Sequence, residues 1–209
     1  TGSGGRKLAS ARRRSARLKV GARPTEQLSI DMTAWLSRTD FGSLSASADN
    51  RTAPSGMEEP YSIDYDVYGL KAVYDFPLVS VTSATSYLSY QNKSVIDASS
   101  DPPTALFEVD TRLDSNVLAQ ELYLSSTPTG DWRWTAGGIY RNARDVWWQF
   151  LPPFVPLIPD VFDTAVLNDQ HTSSKSWAVF GELTKTFLDE RWALTAGLRH
   201  FRDEQTTRW

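Results

Sequence analysis

The 209-residue chain contains no cysteine, which excludes disulfide staples and thiolate metal centres. Its two histidines are too few to build a metal site by themselves. No run of about 20 apolar residues occurs, so a helical membrane span is excluded. Residues 1–20 lack an apolar core of about 7–15 residues, so an exported chain that begins this way is expected to continue upstream. Positive charge is not in excess: a net charge of -3 argues against nucleic acid as a partner. There is no serine-nucleophile elbow, no His-Glu zinc helix and no phosphate loop. Asp160, Asp163 and Asp169 lack the spacing of a calcium loop. No catalytic residue, metal or cofactor is therefore assigned, and an enzyme is not expected.

Aromatic residues are plentiful: eight Trp, eight Tyr and nine Phe, together 12% of the chain. The stretch Ser173–Phe201 shows how they are used. Trp177, Val179 and Leu183 alternate with Phe180, Glu182 and Thr184; after a tight connection, Trp192, Leu194, Ala196 and Leu198 alternate with Thr195, Gly197 and Arg199. A period of two is a strand signal, and the short link makes the two strands antiparallel neighbours.

The same grammar runs through the chain. Leu18 and Val20 oppose Arg17 and Lys19; Leu28, Ile30, Met32, Ala34 and Leu36 oppose Ser29, Asp31 and Thr33; Tyr68, Leu70, Ala72 and Tyr74 oppose Gly69 and Lys71. The serine- and threonine-rich stretch Leu78–Tyr90 has no assignable faces. Leu118, Leu122 and Leu124 share a face on which Gln120 is out of place. Trp132, Trp134, Ala136, Gly138 and Tyr140 oppose Arg133, Thr135 and Arg141. About eight strands result.

Their connections alternate. Ala22–Gln27, Asp75–Pro77, Thr127–Asp131 and Phe187–Glu190 are short, whereas Arg38–Pro60, Gln91–Ser115 and Asn142–Thr172 read as long loops. Short turns at one end and long loops at the other are the arrangement of outer-membrane barrels. WRWTAG at Trp132–Gly137 is echoed by WALTAG at Trp192–Gly197, each just after a short turn, so the two Trp fall at the same end of their strands. The fold expected is all-β: an antiparallel up-and-down meander of about eight long strands, part of a transmembrane β-barrel. Residues 1–15 read as a basic flexible segment and 16–209 as the partial barrel. Two other architectures fit the alternation: a soluble β-sandwich that binds carbohydrate, with its greasy face buried against a second sheet, and a complete small barrel of eight strands.

Three phrases carry a family resemblance: AVFGELTKTFLDERWALTAGLRH (Ala178–His200), LAQELYLSS followed by WRWTAGGIY (Leu118–Tyr140), and ARLKVGARPTEQLSIDMTAW (Ala16–Trp35). They resemble the barrel region of TonB-dependent outer-membrane receptors. The resemblance implies a 22-stranded barrel plugged by an N-terminal domain, importing siderophore-bound iron or another scarce nutrient with energy from the TonB complex. No plug, TonB box or signal sequence is recognisable, and Asp203, Gln205 and Thr207 before Trp209 do not make a C-terminal assembly signal. The chain is therefore expected to be an internal barrel fragment that does not transport alone. Its expected partners are outer-membrane lipid, the missing strands and plug, TonB through that plug, and a small-molecule ligand. Two sets of site residues follow. Trp147, Trp148, Phe150 and Phe154 read as an aromatic, proline-stiffened loop for ligand contact or girdle. Arg133, Glu182 and Arg199 read as lumen charges, with Glu182 placed to meet Arg199 or Arg191.

Overall fold

In the computed structural model, described over residues 10–42, 59–97, 108–127, 130–151, 165–188 and 191–209, the period-two segments form eight strands. They are β1 (Ala11–Ala22), β2 (Leu28–Phe41), β3 (Tyr61–Asp75), β4 (Val79–Asp97), β5 (Glu108–Ser126), β6 (Trp132–Leu151), β7 (Ala165–Phe187) and β8 (Trp192–Arg208). Each pairs antiparallel with the next, so sheet order equals chain order. The four short links lie at one end of this meander and the long ones at the other. Gly130 supplies one turn with a backbone φ of 91°, a value that glycine adopts without steric cost. At another, the Leu28 amide donates to Thr25 Oγ1 at 3.1 Å.

There is one sheet. A sandwich requires a second, so the carbohydrate-binding sandwich is not the architecture. Nor does the sheet close on itself: among the described residues β1 meets only β2 and β8 only β7, which removes the complete eight-stranded barrel. Closure would need the backbone groups of these two edges to meet a partner.

The distribution of burial is inverted relative to a water-soluble sheet. Following the registers, Ser37, Thr82, Asn92, Ser94, Ala143, Asn168, Ser174, Ser176, Ala178 and Thr186 all fall on one face, the inner face, and with Glu59, just before β3, these are the buried side chains among the described residues. The other face carries Leu18, Val20, Met32, Leu70, Leu122, Leu124, Val179, Leu183, Leu194 and Leu198, all exposed. Hydroxyls inside and leucines outside are stable only if the outer face meets something as apolar as leucine.

Two rows of outward aromatic rings bound this apolar band. Phe76, Trp132, Phe187 and Trp192 lie toward the short turns; Tyr68, Tyr87, Tyr140 and Trp177 lie toward the long loops. From Trp132 to Tyr140 the strand rises roughly 26 Å at about 3.3 Å per residue. A tilt of about 40° reduces that to ~20 Å, close to the ~25 Å apolar band of an outer-membrane barrel. In the lower row the Lys185 ammonium sits 4.6 Å from the Trp132 ring centroid, keeping its charge at the boundary while its stem lies along apolar surface.

Two unreadable places in the sequence acquire a physical account. On β4 the outward positions are Val81, Ser83, Thr85 and Tyr87, with Thr85 opposite the misplaced Gln120 of β5. The Thr85 hydroxyl donates to Gln120 Oε1, and Gln120 Nε2 donates to Ser83 Oγ and to the Glu121 carbonyl, both at 3.0 Å. The amide is thus satisfied within the wall, which reduces the cost of leaving it in an apolar band. On the inner face Gly137 lies between Tyr123 and Phe180. A Cβ there would come within 2.5 Å of Tyr123 Cβ and 2.7 Å of the Leu122 carbonyl, so glycine is required by close approach.

Strand ends differ from expectation in one direction: the strands are longer. β1 begins at Ala11 rather than Ala16, so Arg12–Arg14 belong to the sheet and not to a flexible segment. β2 continues to Phe41, β4 to Asp97 and β6 to Leu151; β5 begins at Glu108 and β7 at Ala165; β8 takes in the polar tail to Arg208. Beyond the aromatic rows both faces are wet. Alternation then ceases to be required while backbone pairing continues, and a reading based on period two stops too early.

Candidate functional site

The inner face is the surface a barrel presents to its lumen, and the site residues are judged against it. Trp147, Trp148 and Phe150 are strand residues of β6 rather than loop residues, because pairing with β5 persists to Phe150. The strand also separates them. Trp147 points inward in the row of Leu113 and Gln170, whereas Trp148 and Phe150 point outward with rings stacked at 5.3 Å and 16°. They do not make one aromatic surface. Phe154, Asp160 and Asp163 lie outside the described residues.

Arg133, Glu182 and Arg199 occupy inward positions on β6, β7 and β8. Glu182 is paired with Thr135 and Gly197, so each Arg is its diagonal neighbour, at a Cα separation of about 7–8 Å or less. All three are exposed, and among the described ion pairs none joins them.

A denser inward cluster lies on β1–β3, where the sequence reading saw only a basic terminus. Alternation sorts the basic run. Arg14 falls outward opposite Arg38, while Arg13 and Arg17 fall inward opposite Thr39 and Trp35. Outward Arg38 is neutralised: it bonds Asp66 through both terminal nitrogens, the longer contact at 2.9 Å, and lies 3.7 Å from Asp64. The inward arginines meet rings instead. The Arg17 guanidinium lies 5.8 Å from the Trp35 ring centroid. Trp35 meets Tyr65 edge-on at 5.3 Å and 83°, and Arg13 reaches the Tyr65 hydroxyl at 3.5 Å. Ser37, between these rows, is buried with its hydroxyl unpartnered. The sequence signal that could have found this cluster was present: Arg13 and Arg17 share parity with Lys19, on the polar side of the strand.

At the long-loop end of the wall, a cavity of about 450 Å³ is lined by Phe41, Tyr61, Lys93, Asp110, Arg112 and Trp148 among others. Beside it Glu108 has its carboxyl pushed above the ordinary range, first by burial and then by the charge of Asp110.

The chain was compared with known proteins. A family model described as TonB dependent receptor-like, beta-barrel matches residues 13–209. No curated protein matches. Among solved structures, the ferric yersiniabactin uptake receptor FyuA of Yersinia pestis is similar with a TM-score of 0.76 and 15% identity, covering 96% of this chain and 31% of that receptor. The ferric preacinetobactin receptor BauA of Acinetobacter baumannii is similar with a TM-score of 0.70 and 15% identity, covering 94% and 34%. The siderophore receptor PiuA of Acinetobacter baumannii gives 0.57 and 12%, covering 94% and 39%. The chain spans about a third of the length of these receptors.

Proposed function

Since this chain belongs to the TonB-dependent receptor β-barrel family, we propose that it is a section of the wall of an outer-membrane receptor that imports a ferric siderophore or a similarly scarce nutrient. The observation that carries this reading is the inverted burial, with serine, threonine and asparagine enclosed and leucine, valine and tryptophan outward between two aromatic rows. In this reading the outward band contacts outer-membrane lipid, the short turns face the periplasm and the long-loop ends face the outside. The unpaired edges of β1 and β8 receive the remaining barrel strands, a plug domain occupies the lumen, and the TonB complex acts through that plug. The eight strands do not transport by themselves, because an open sheet leaves its edge amides and carbonyls unpaired in hydrocarbon. The role assigned is binding and passage, with no covalent chemistry.

Uptake of radio-iron supplied as ferric siderophores, compared between cells lacking the receptor that carries this chain and cells in which it is restored, tests the proposal. Energy-dependent accumulation only in the restored cells is expected. Equal accumulation in both, or recovery of the receptor outside the outer-membrane fraction, would overturn it.

A further inference from the structure

Above the upper aromatic row, the outward face treats its cations in two ways. On β2 and β5 they are matched: Arg38, four residues above the row, holds Asp66 and Asp64, and Arg112, six residues above it, bonds Asp114 at 2.5 Å. On β6–β8 they are not. Lys175, Arg144 and Arg208 lie two, four and six residues above the row of Tyr140 and Trp177, outward and exposed, and none makes an ion pair among the described residues. The carboxylates around them are engaged elsewhere. Glu204, opposite Lys175, bonds Arg202 at 2.6 Å, and Asp169 bonds His171 at 3.0 Å. Asp114, diagonal to Arg144, is held by Arg112 and Gln91, and inward Asp145 accepts from Ser115. Arg144 and Arg208 border one cavity of about 410 Å³ with His171, Ser173 and Thr206. All five are outward, so the cavity opens away from the lumen.

At about 3.3 Å per residue and a tilt of about 40°, the three cations stand roughly 5, 10 and 15 Å above the aromatic row. A phospholipid headgroup layer is only about 5–8 Å deep. Lys175 therefore lies within that layer and the cavity above it. Arg144 and Arg208 are two strands and two residues apart, about 12 Å between Cα atoms, a span that two long side chains bordering one cavity close on a single phosphate. Guanidinium groups bind phosphate by paired, charge-assisted hydrogen bonds, and an ammonium binds it as a point charge. Resting on the receptor reading above, which puts this end of the wall in the outer leaflet, we propose that the outward cavity on β6–β8 binds a phosphate carried by the saccharide headgroup of an outer-leaflet glycolipid. Arg144 and Arg208 hold the phosphate, Ser173 and Thr206 offer hydroxyls to it or to the sugar, and Lys175 meets a second anionic group nearer the acyl chains. Height selects the lipid: the phosphate of a phospholipid reaches Lys175 but not the cavity.

The test uses the purified receptor carrying this chain, in detergent micelles and washed free of glycolipid by ion exchange. The probe is tritiated lipopolysaccharide with a phosphorylated core saccharide, and retention on immobilised receptor is the readout. Binding is expected, roughly 10-fold or more weaker for the same glycolipid stripped of phosphate, and resistant to excess phosphatidylglycerol and to inorganic phosphate. Arg144→Gln and Arg208→Gln should each weaken it roughly 10-fold or more, as for loss of a charge-assisted hydrogen bond, and Arg144→Lys should recover part of the loss. Arg38→Gln, outward at the height of Arg144 but on β2, should leave binding intact, and heat-dependent mobility on gels reports folding of every variant. Binding unchanged in Arg144→Gln and Arg208→Gln, lost equally in Arg38→Gln, equal for the dephosphorylated glycolipid, or abolished by phosphatidylglycerol or inorganic phosphate overturns the site. Any of these in a receptor that still imports iron removes this inference alone. Phosphate-dependent binding in a receptor that supports no iron uptake leaves the site standing and removes the transport reading instead.

Discussion

Replacing Leu122 with arginine separates a lipid-facing wall from any water-facing one. Leu122 is outward on β5 and 52% exposed. It lies four residues from Leu118, which is in the row of Tyr68 and Tyr87 at the upper aromatic boundary. Four residues at about 3.3 Å, reduced by a tilt of about 40°, put Leu122 roughly 10 Å below that boundary, near the middle of a ~25 Å band. An arginine there costs about 2–4 kcal/mol, whereas at the boundary it costs about 0–1 kcal/mol. Leu122→Arg should therefore lower the folding equilibrium constant roughly 30- to 700-fold, and Leu118→Arg should have a much smaller effect. Ser86→Arg is the control: Ser86 is inward, exposed, and flanked by Gly69 and Ala119, which leave room. It should change stability little. The assay is reversible urea unfolding of the receptor in phospholipid vesicles, followed by tryptophan fluorescence. A neutral or stabilising Leu122→Arg, with Ser86→Arg equally harmless, would refute the reasoning, because that is how a water-facing leucine behaves.

Other outcomes follow from single contacts. Gly137→Ala forces a Cβ against Tyr123 and the Leu122 carbonyl and should destabilise the wall by about 1–3 kcal/mol in the same titration, whereas Gly130→Ala should be felt only in its turn. Gln120→Leu alone leaves the Thr85 and Ser83 hydroxyls without their amide partner and should cost about 1–3 kcal/mol. The triple variant with Ser83→Ala and Thr85→Val should recover most of that loss. The raised carboxyl of Glu108, which lies beyond the aromatic rows, holds its proton more tightly folded than unfolded. The folded state gains from it at low pH and loses that gain as pH rises from the unfolded value of about 4.3 through the folded one. Thermal melts across this window should show the loss in the parent and a flatter profile in Glu108→Gln.

The legible and illegible parts of this wall divide at the membrane boundary. Where lipid bears on one face, as from Tyr68 to Tyr74 or Trp132 to Tyr140, selection for apolar residues at every second position writes the strand into the sequence, and strand identity, order, turns and faces could all be read. Ser83 and Thr85 broke the pattern on β4 because they solvate Gln120, a contact between strands that no single strand records. Beyond the rings both faces are wetted. Trp147, Trp148 and Phe150 therefore looked like a loop when they continue β6, and Arg12–Arg14 looked like a tail when they begin β1. The cluster of Arg13, Arg17, Trp35 and Tyr65 was missed for the same reason, since it depends on β1 extending to Ala11 and on a register that brings residue 13 beside residue 65.

The most direct test of the account is a cysteine scan along β3 from Tyr68 to Tyr74, in a stretch that has no cysteine of its own and in a receptor whose cysteines elsewhere are first replaced by serine. Each single-cysteine receptor, reconstituted in vesicles, is reacted with a charged, membrane-impermeant maleimide and, separately, with a hydrocarbon-soluble one. The account predicts strict alternation, with positions 68, 70, 72 and 74 labelled from lipid and positions 69, 71 and 73 labelled from water. Labelling of the even positions by the charged reagent, or loss of the two-residue period, would contradict it.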